Sequence, residues 1–559
     1  MLSHFLVLGT RFDVHKVILV SCSDYFRSMF TSGMKECSQK EIELKGITAK
    51  GLEKALEIIY TSRTTLENDD IFDVIAAASH LQVTTVIEFC EKNFLSSMTK
   101  TNFFDFISTA KLYHMTNALS QIDAFIAQNL LSISRANTLY LLSFEQIMNC
   151  LTKHNLAMRE IDVFGVVWDW IQSDSAHARY AVELMQQIRF PLISPDDIVN
   201  KVQRIPDMMT QPELHSMVLA ALNYHVVPHA QTLEKSRGTK IRNGTRRLVS
   251  VGGREIHPQP GLHDNVLVHD GIFGTQSIPT SQELTTLPSA LSHMQAVEFN
   301  NFLYVLGGCT TQCAHGESAV NSVLRFDPRF NTWLQCTPML KKRAYFFAGV
   351  VNDYIFAIGG KHKDGSLSSV EMYNPSTNSW TNAPPMLTAY HAHAGIVYHN
   401  SVYISGGYSN QHFTQDMQRF DATQGVWEDM APMMTPRGWH VMVKVNSRFL
   451  VFGGCNLNAN QQALSVLQSE MYDPETDQWT ALSSLSLSHK EAACVPYLDY
   501  VCVLGGYNVQ TKSGQKMVSK YDLVTGRWET IGSLPISMTG VCYCQMVLPS
   551  YTQSDVASP

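Results

Sequence analysis

His391, Ala392 and His393 are the nearest approach in this sequence to a metal-binding pair, since strand alternation would put both imidazoles on one face. No third ligand stands near them, so two packed histidines are the expectation. Twelve cysteines are scattered without a CxxC pair; Cys309 and Cys313 lie four apart, and Cys542 and Cys544 alternate. Reactive thiols need an exposed, basic setting, and reduced, incidental thiols are expected instead. The sequence holds no glycine-rich phosphate loop, G-x-S-x-G elbow or H-E-x-x-H helix. No catalysis, cofactor or metal is therefore expected of this chain, which should act by binding.

The elements that would position a binding surface need more than one core, because 559 residues exceed what a single core organises. The net charge of −7 offers no basic surplus, which argues against nucleic acid and anionic membranes as partners. Leu6-Val7-Leu8 is too short for a signal peptide, and no apolar run approaches a membrane span. A cytoplasmic chain, with access to the nucleus, is expected.

The second half repeats. Glycine pairs open at Gly252, Gly307, Gly359, Gly406, Gly453 and Gly505, at intervals of 55, 52, 47, 47 and 52 residues. Each pair ends a short β-rich run such as LVSVGG or IFAIGG. Past five of them come an aromatic residue and, seven positions on, a tryptophan: Phe326 and Trp333, Tyr373 and Trp380, Phe420 and Trp427, Tyr472 and Trp479, Tyr521 and Trp528. Asp327-Pro328, Asn374-Pro375 and Asp473-Pro474 mark turns between antiparallel strands. Such units bury their aromatics only against a neighbour. These features resemble kelch repeats, and that resemblance implies a six-bladed β-propeller. The first glycine pair lacks the preceding strand that the others have, and GVCYCQMVL (540–548) is a strand without a following pair. The last segment should therefore supply the innermost strand of blade 1 and leave no free sheet edge. Counting back from Pro288 puts Glu283 at the tryptophan position of blade 1 and Gln276 at the aromatic one, with loop over 257–279.

The first half is helical in pattern, with Leu52, Ala55, Leu56 and Ile59 on one stripe and Ile71, Val74, Ile75, Ala78 and Leu81 on another. F-x-x-H-K from Phe12, then S-D-Y-F-R-x-M-F, G-M-K-E and I-I-Y-T resemble a BTB domain. The stripe Ile161, Phe164, Trp168, Ile171 and the run IRFPLISPDDI resemble the BACK domain. The whole chain thus resembles the BTB-BACK-kelch family. The multidomain reading is an α/β BTB domain at 1–97, an all-α BACK domain at 98–225, a linker at 226–246, an all-β six-bladed kelch propeller at 247–549 and a flexible tail at 550–559. Eleven residues precede Phe12, where the family usually has a further strand and helix that build its homodimer.

That resemblance implies a substrate adaptor of a cullin-3 RING ubiquitin ligase, itself not an enzyme. It assigns cullin binding to Met34, Glu36 and Tyr60. It implies that a target protein binds one propeller rim. Arg343, Tyr390, Arg437 and His489, each sixteen residues before a glycine pair, are the rim candidates, joined by Trp439, His362, Tyr408, Asn456 and Tyr507. Two arginines there would favour an acidic or phosphorylated degron. The alternative is a scaffold that binds actin or other cytoskeletal proteins without recruiting a ligase.

Overall fold

The computed structural model describes residues 2–33, 35–64, 68–94, 98–100, 102–152, 156–256, 260–270, 280–312 and 316–550. The chain divides into two compact units, residues 1–193 with 201–217, and residues 194–200 with 218–559. In the first unit, strand β1 (Leu2–Val7) pairs antiparallel with β2 (Thr10–His15) and parallel with β3 (Glu41–Glu43). Helices α1 (Lys16–Cys22), α2 (Asp24–Thr31), α3 (Ala49–Thr61), α4 (Asn68–His80) and α5 (Thr84–Phe94) complete the domain. Ser23 fixes the start of α2: its hydroxyl accepts from the Phe26 N–H at 3.1 Å and donates to the Leu81 carbonyl at 2.5 Å. Both apolar stripes face inward, with Leu52, Ala55, Val74 and Ile75 fully buried.

Four longer helices follow in the same unit, Phe103–Leu112, Thr116–Arg135, Phe144–Thr152 and Glu160–Ser173. In the last of them Ile161, Phe164 and Ile171 are buried as expected, but Trp168 is only half-buried. Trp170 is the core tryptophan. Its indole stacks on His177 with centroids 3.7 Å apart and donates to the Leu142 carbonyl at 2.9 Å.

The second unit is built on six four-stranded antiparallel sheets, each a blade. From inside outward, blade 2 runs Gln295–Phe299, Phe302–Leu306, Val323–Asp327 and Thr332–Cys336, and blades 3 to 6 repeat that order. Blade 1 takes its innermost strand, Cys542–Pro549, from the far end of the chain and pairs it with Gly244–Val251. The inner strands touch in cyclic order, blade 6 against Cys542–Pro549 and that strand against Gln295–Phe299, so the ring is closed.

The repeat residues explain how neighbouring blades are joined. Each aromatic–tryptophan couple is a directly opposed cross-strand pair, with ring centroids 5.1 Å apart in Phe420–Trp427 and 5.2 Å in Tyr373–Trp380. The indole N–H then reaches the preceding blade: Trp380 donates to the Thr337 carbonyl (2.9 Å), Trp427 to Pro384 (2.8 Å), Trp479 to Ala431 (2.7 Å) and Trp528 to Ser483 (2.9 Å). Replacing Trp479 by phenylalanine should keep an aromatic ring opposite Tyr472 but lose this bond and part of the ring contact, at a cost of at least about 1 kcal/mol in a denaturant titration. No change in the unfolding midpoint would refute the role of the bond. The glycine pairs make the second joint. Gly307 has φ +58°, and a Cβ there would fall 2.4 Å from the Arg343 carbonyl. The N–H of the following glycine donates to that same carbonyl at 2.9 Å.

Blade 1 corrects the frame expected for it. Its pairing skips from Val266–Thr285 to Leu267–Glu283, leaving Leu284 as a bulge. The aromatic position therefore belongs to His269, opposite Leu248, and the tryptophan position to Ser281 rather than Glu283. Gln276 lies outside the described residues. Within the span expected as loop, Asn265–Asp270 is a strand, and His269 is buried with a 2.7 Å hydrogen bond to the Ser250 hydroxyl.

The linker, 226–246, is docked on the propeller. Thr232 and Tyr304 share a buried hydroxyl–hydroxyl bond of 2.6 Å, the Gln231 side-chain oxygen accepts from Arg325 at 3.0 Å, and Leu233 packs on blades 2 and 3. Few apolar groups were available to signal this, because the docking is made largely by hydrogen bonds.

Candidate functional site

Where each blade's innermost strand is entered, one residue stands in the left-handed region: Gly540, His293, Tyr345, Ala392, Trp439 and Glu491, with φ of 60°, 53°, 54°, 58°, 53° and 54°. Non-glycine residues resist that conformation, so neighbours must enforce it. The backbone does so. His293 N–H donates to the Gly540 carbonyl (2.9 Å), Tyr345 to His293 (3.1 Å), Ala392 to Tyr345 (2.9 Å), Trp439 to Ala392 (2.7 Å) and Glu491 to Trp439 (3.0 Å). These bonds run from blade to blade around one end of the central channel. A cavity of about 120 Å³ opens there, lined by His293, Tyr345, Trp439, Glu491, Gly540 and residues just below them.

The mouth has two unlike sides. Tyr345 meets Trp439 edge-on at 6.5 Å, and Phe413 meets Trp439 at 5.5 Å. Opposite, Glu491 lies 3.1 Å from His293 Nε2, 3.3 Å from Lys490 Nζ and 3.4 Å from Arg254 Nη2. A Cβ on Gly540 would fall 2.7 Å from His293 Nε2, so glycine there leaves the imidazole its path to Glu491. Burial works against the Glu491 charge, yet Lys490, His293 and Arg254 together hold its carboxyl well below the usual range. Lys490 also lies over the Trp439 ring, 4.1 Å from its centre.

The four residues sixteen before the glycine pairs are not on this surface. Arg343, Arg437 and His489 are 0% exposed and Tyr390 is 3% exposed. Each turns into its own blade. Arg343 Nη2 donates to Glu371 at 2.5 Å, and Arg437 Nη2 to Glu470 at 2.5 Å. The Tyr390 hydroxyl donates to Asp416 at 2.5 Å, and His489 bridges the Gly505 carbonyl and the Ser519 hydroxyl at 2.8 and 2.9 Å. Glu371 and Glu470 in turn accept from backbone N–H groups of Leu340, Lys341 and Met434, which shapes the loops between blades. As ligand contacts these four are corrected to internal braces; the two arginines present no cation to a partner.

Of the remaining rim candidates Trp439 lines the cavity, and the other four stand on hairpins outside its lining. Small hairpins follow the glycine pairs, and bridges Ala344–Lys361, His391–Tyr408, Gly438–Cys455 and Lys490–Tyr507 tie them to the residue before each left-handed one. His362, Tyr408, Asn456 and Tyr507 sit half-buried on those hairpins. His391 and His393 do not form a shared pair: His391 bonds the Ser366 hydroxyl at 2.8 Å and His393 the Ile358 carbonyl at 3.2 Å. Burial pushes their pKa values down to about 3 and about 4, so both are neutral. Among the described residues no three His, Cys, Asp or Glu side chains assemble as a metal site. Burial pushes the Cys542 thiol up to about 12 and Cys544 higher still, which keeps both un-ionised. Cys309 is buried, and Cys313 lies outside the described residues.

Known proteins with the same sequence pattern settle the grouping. Residues 4–98 match the BTB/POZ domain, 103–203 the BTB And C-terminal Kelch domain, and 249–515 the Attractin/LZTR1 beta-propeller. Kelch-like protein 31 of Homo sapiens is 39% identical over 98% of this chain and 86% of its own length. Kelch-like protein 13 of Mus musculus is 38% identical over 96% and 81%, and Kelch-like protein 26 of Danio rerio 33% over 97% and 89%. The chain belongs to the BTB-BACK-kelch family.

In the BTB domain of this kelch-like chain, Met34 lies outside the described residues. Glu36 is half-buried in a short turn, Lys35–Cys37, which Lys16 Nζ pins by donating to the Cys37 carbonyl at 3.0 Å. Tyr60 is 39% exposed at the end of α3, and its hydroxyl accepts from the His15 N–H at 2.7 Å. Among the described residues no helix is long and apolar enough to cross a membrane.

Proposed function

We propose that this chain is a non-catalytic adaptor that brings a target protein to a cullin-3 RING ubiquitin ligase, in the cytosol or nucleus. The BTB and BACK domains hold the cullin, and the mouth of the propeller holds the target. The observation that carries this reading is the union, in one chain, of a BTB and a BACK domain with a closed propeller whose mouth keeps an aromatic-walled cavity. Met34 fills an apolar pocket of the cullin in this reading, Glu36 fixes the same loop, and Tyr60 adds an exposed aromatic face.

Affinity purification of the full chain from cells should recover cullin-3, and Met34→Ala/Glu36→Ala should reduce recovery at least about ten-fold, or roughly 1.4 kcal/mol. Undiminished recovery by the double variant would reject these contacts. A wild-type chain that retains actin but no cullin-3 would reject the adaptor in favour of a cytoskeletal scaffold.

A further inference from the structure

Five of the six seams between blades are filled by the same couple of rings. Phe326 and Trp333 pack between blades 1 and 2, Tyr373 and Trp380 between 2 and 3, and Phe420 and Trp427 between 3 and 4. Tyr472 and Trp479 fill the next seam, and Tyr521 and Trp528 the one after. The seam between blades 6 and 1 is closed by Leu248, Val495, Cys502, Leu504, Val518 and Leu534, and among the described residues it holds no such couple. The pairing of blade 1 gives the reason. Opposed residues share a sheet face, so His269 and Ser281 stand on the face of Leu248, toward blade 6. Ser281 is exposed there, whereas Trp380 and Trp427 are 6% and 7% exposed. A serine stands where the other blades supply an indole.

Blade 6 keeps its half of the seat. Tyr500 and Lys520 lie on the face of Cys502 and Val518, toward blade 1, with Lys520 Nζ 4.7 Å from the centre of the Tyr500 ring. The Lys520 side chain stays 22% exposed, 3.9 Å from Glu529. Between blades 3 and 4 the Trp427 indole bonds the Pro384 carbonyl, next after Ala383, which lies opposite Val370. Val518 holds the place of Val370 in blade 6, each standing just before its couple's tyrosine on the third strand. Gly532 lies opposite Val518, so the corresponding carbonyl is that of Ser533, an exposed residue. On blade 1 the half-buried Leu267 and the exposed Glu283 share the face of His269.

We infer that the seam between blades 6 and 1 seats a tryptophan side chain of a partner protein, in the place that the other seams fill from their own blades. The five occupied seams identify the occupant. The incoming indole packs on Leu267, donates its N–H to the Ser533 carbonyl and turns a π face to Lys520. Phenylalanine brings no donor, and lysine or arginine meets Lys520 as a like charge. One buried aromatic with one directed bond is the kind of anchor that carries much of the energy of a protein interface. The seat lies on outer strands and the mouth on inner ones, so a protein held here leaves the mouth free.

The test begins with Ser281→Trp, which supplies the ring from blade 1 itself. The purified full chain should then melt about 2–4 °C higher, as a filled seam requires. The second arm passes degenerate nonapeptide libraries, with tryptophan, phenylalanine, leucine or lysine fixed at the centre, over the immobilised chain. The tryptophan library should be retained about five-fold above the phenylalanine library, the ratio that one neutral hydrogen bond gives. Ser281→Trp should abolish that preference, and so should Ser281→Arg, which crowds the seat from an exposed position. A Ser281→Trp chain that melts at or below the wild-type temperature would overturn the inference, because the seat would not fit an indole. Equal or better retention of any other library would do the same, as would an undiminished tryptophan preference in Ser281→Arg.

Discussion

Replacing Arg437 by alanine should destabilise the propeller by about 3–5 kcal/mol, the usual cost of removing one member of a buried ion pair. Arg437 and Glu470 are 0% and 2% exposed at their side chains. The guanidinium also donates to the Gln468 carbonyl at 2.7 Å and the Gly453 carbonyl at 3.3 Å. Alanine would strand a buried carboxylate and at least one carbonyl together. Burial pulls the arginine pKa below its ordinary value and Glu470 pushes it back, so the pair is a charged one. The melting temperature of the full chain should fall by roughly 5–10 °C. Arg437→Met/Glu470→Leu should recover most of that loss, because two apolar groups leave no buried charge unpaired. Recovery of the target protein by the folded variant should be unaffected. A variant that melts like the wild type while losing its target would restore Arg437 to the ligand surface and undo the structural assignment.

The same residue shows where reading the sequence succeeds and where it stops. The glycine pairs, the five aromatic–tryptophan couples and the closing strand were legible because each repeats at a fixed distance, and periodic spacing is what a ring of similar sheets imposes. Arg343 and Arg437 were legible as a repeated position, but not as braces. Their partners Glu371 and Glu470 lie 28 and 33 residues on, at the second residue of each blade's third strand, and blade 4 carries Gln418 there. Only the strand register reveals that these positions face the arginines. The mouth was hidden for a different reason. Histidine, tyrosine, alanine, tryptophan, glutamate and glycine share no chemistry, and their common left-handed backbone leaves no mark in residue type. The available signal was positional: five of them stand two residues beyond the sixteen-residue mark, and Gly540 has no glycine pair after it to count from. Blade 1 was misframed by one bulged residue, Leu284, which a count from Pro288 cannot detect.

Ending the chain before Gly540 should cost the propeller still more, because the strand lost is one that no other segment can replace. Cys542–Pro549 pairs with Gly244–Val251 over eight residue pairs and buries Met546 and Leu548 to 1% and 5% exposure. Burial of two such side chains is worth about 3–6 kcal/mol. The deletion would also uncover Leu248, Val249 and Val251 and turn Gly244–Val251 into an open apolar edge. Gly540 would go too, and with it the acceptor of the His293 N–H, so the backbone circuit at the mouth would break beside Glu491. The expected outcome is loss of cooperative melting in the second unit, aggregation above micromolar concentration, and early proteolytic cleavage within 244–286. The helical unit has its own core and should persist in the digest. Addition of a synthetic peptide covering 540–550 should restore protection in trans, since the missing strand contributes through one ladder and two inner-strand neighbours. A truncated chain that melts within about 2 °C of the intact one, a difference of under roughly 1 kcal/mol, would mean that the ring does not depend on joining its two ends.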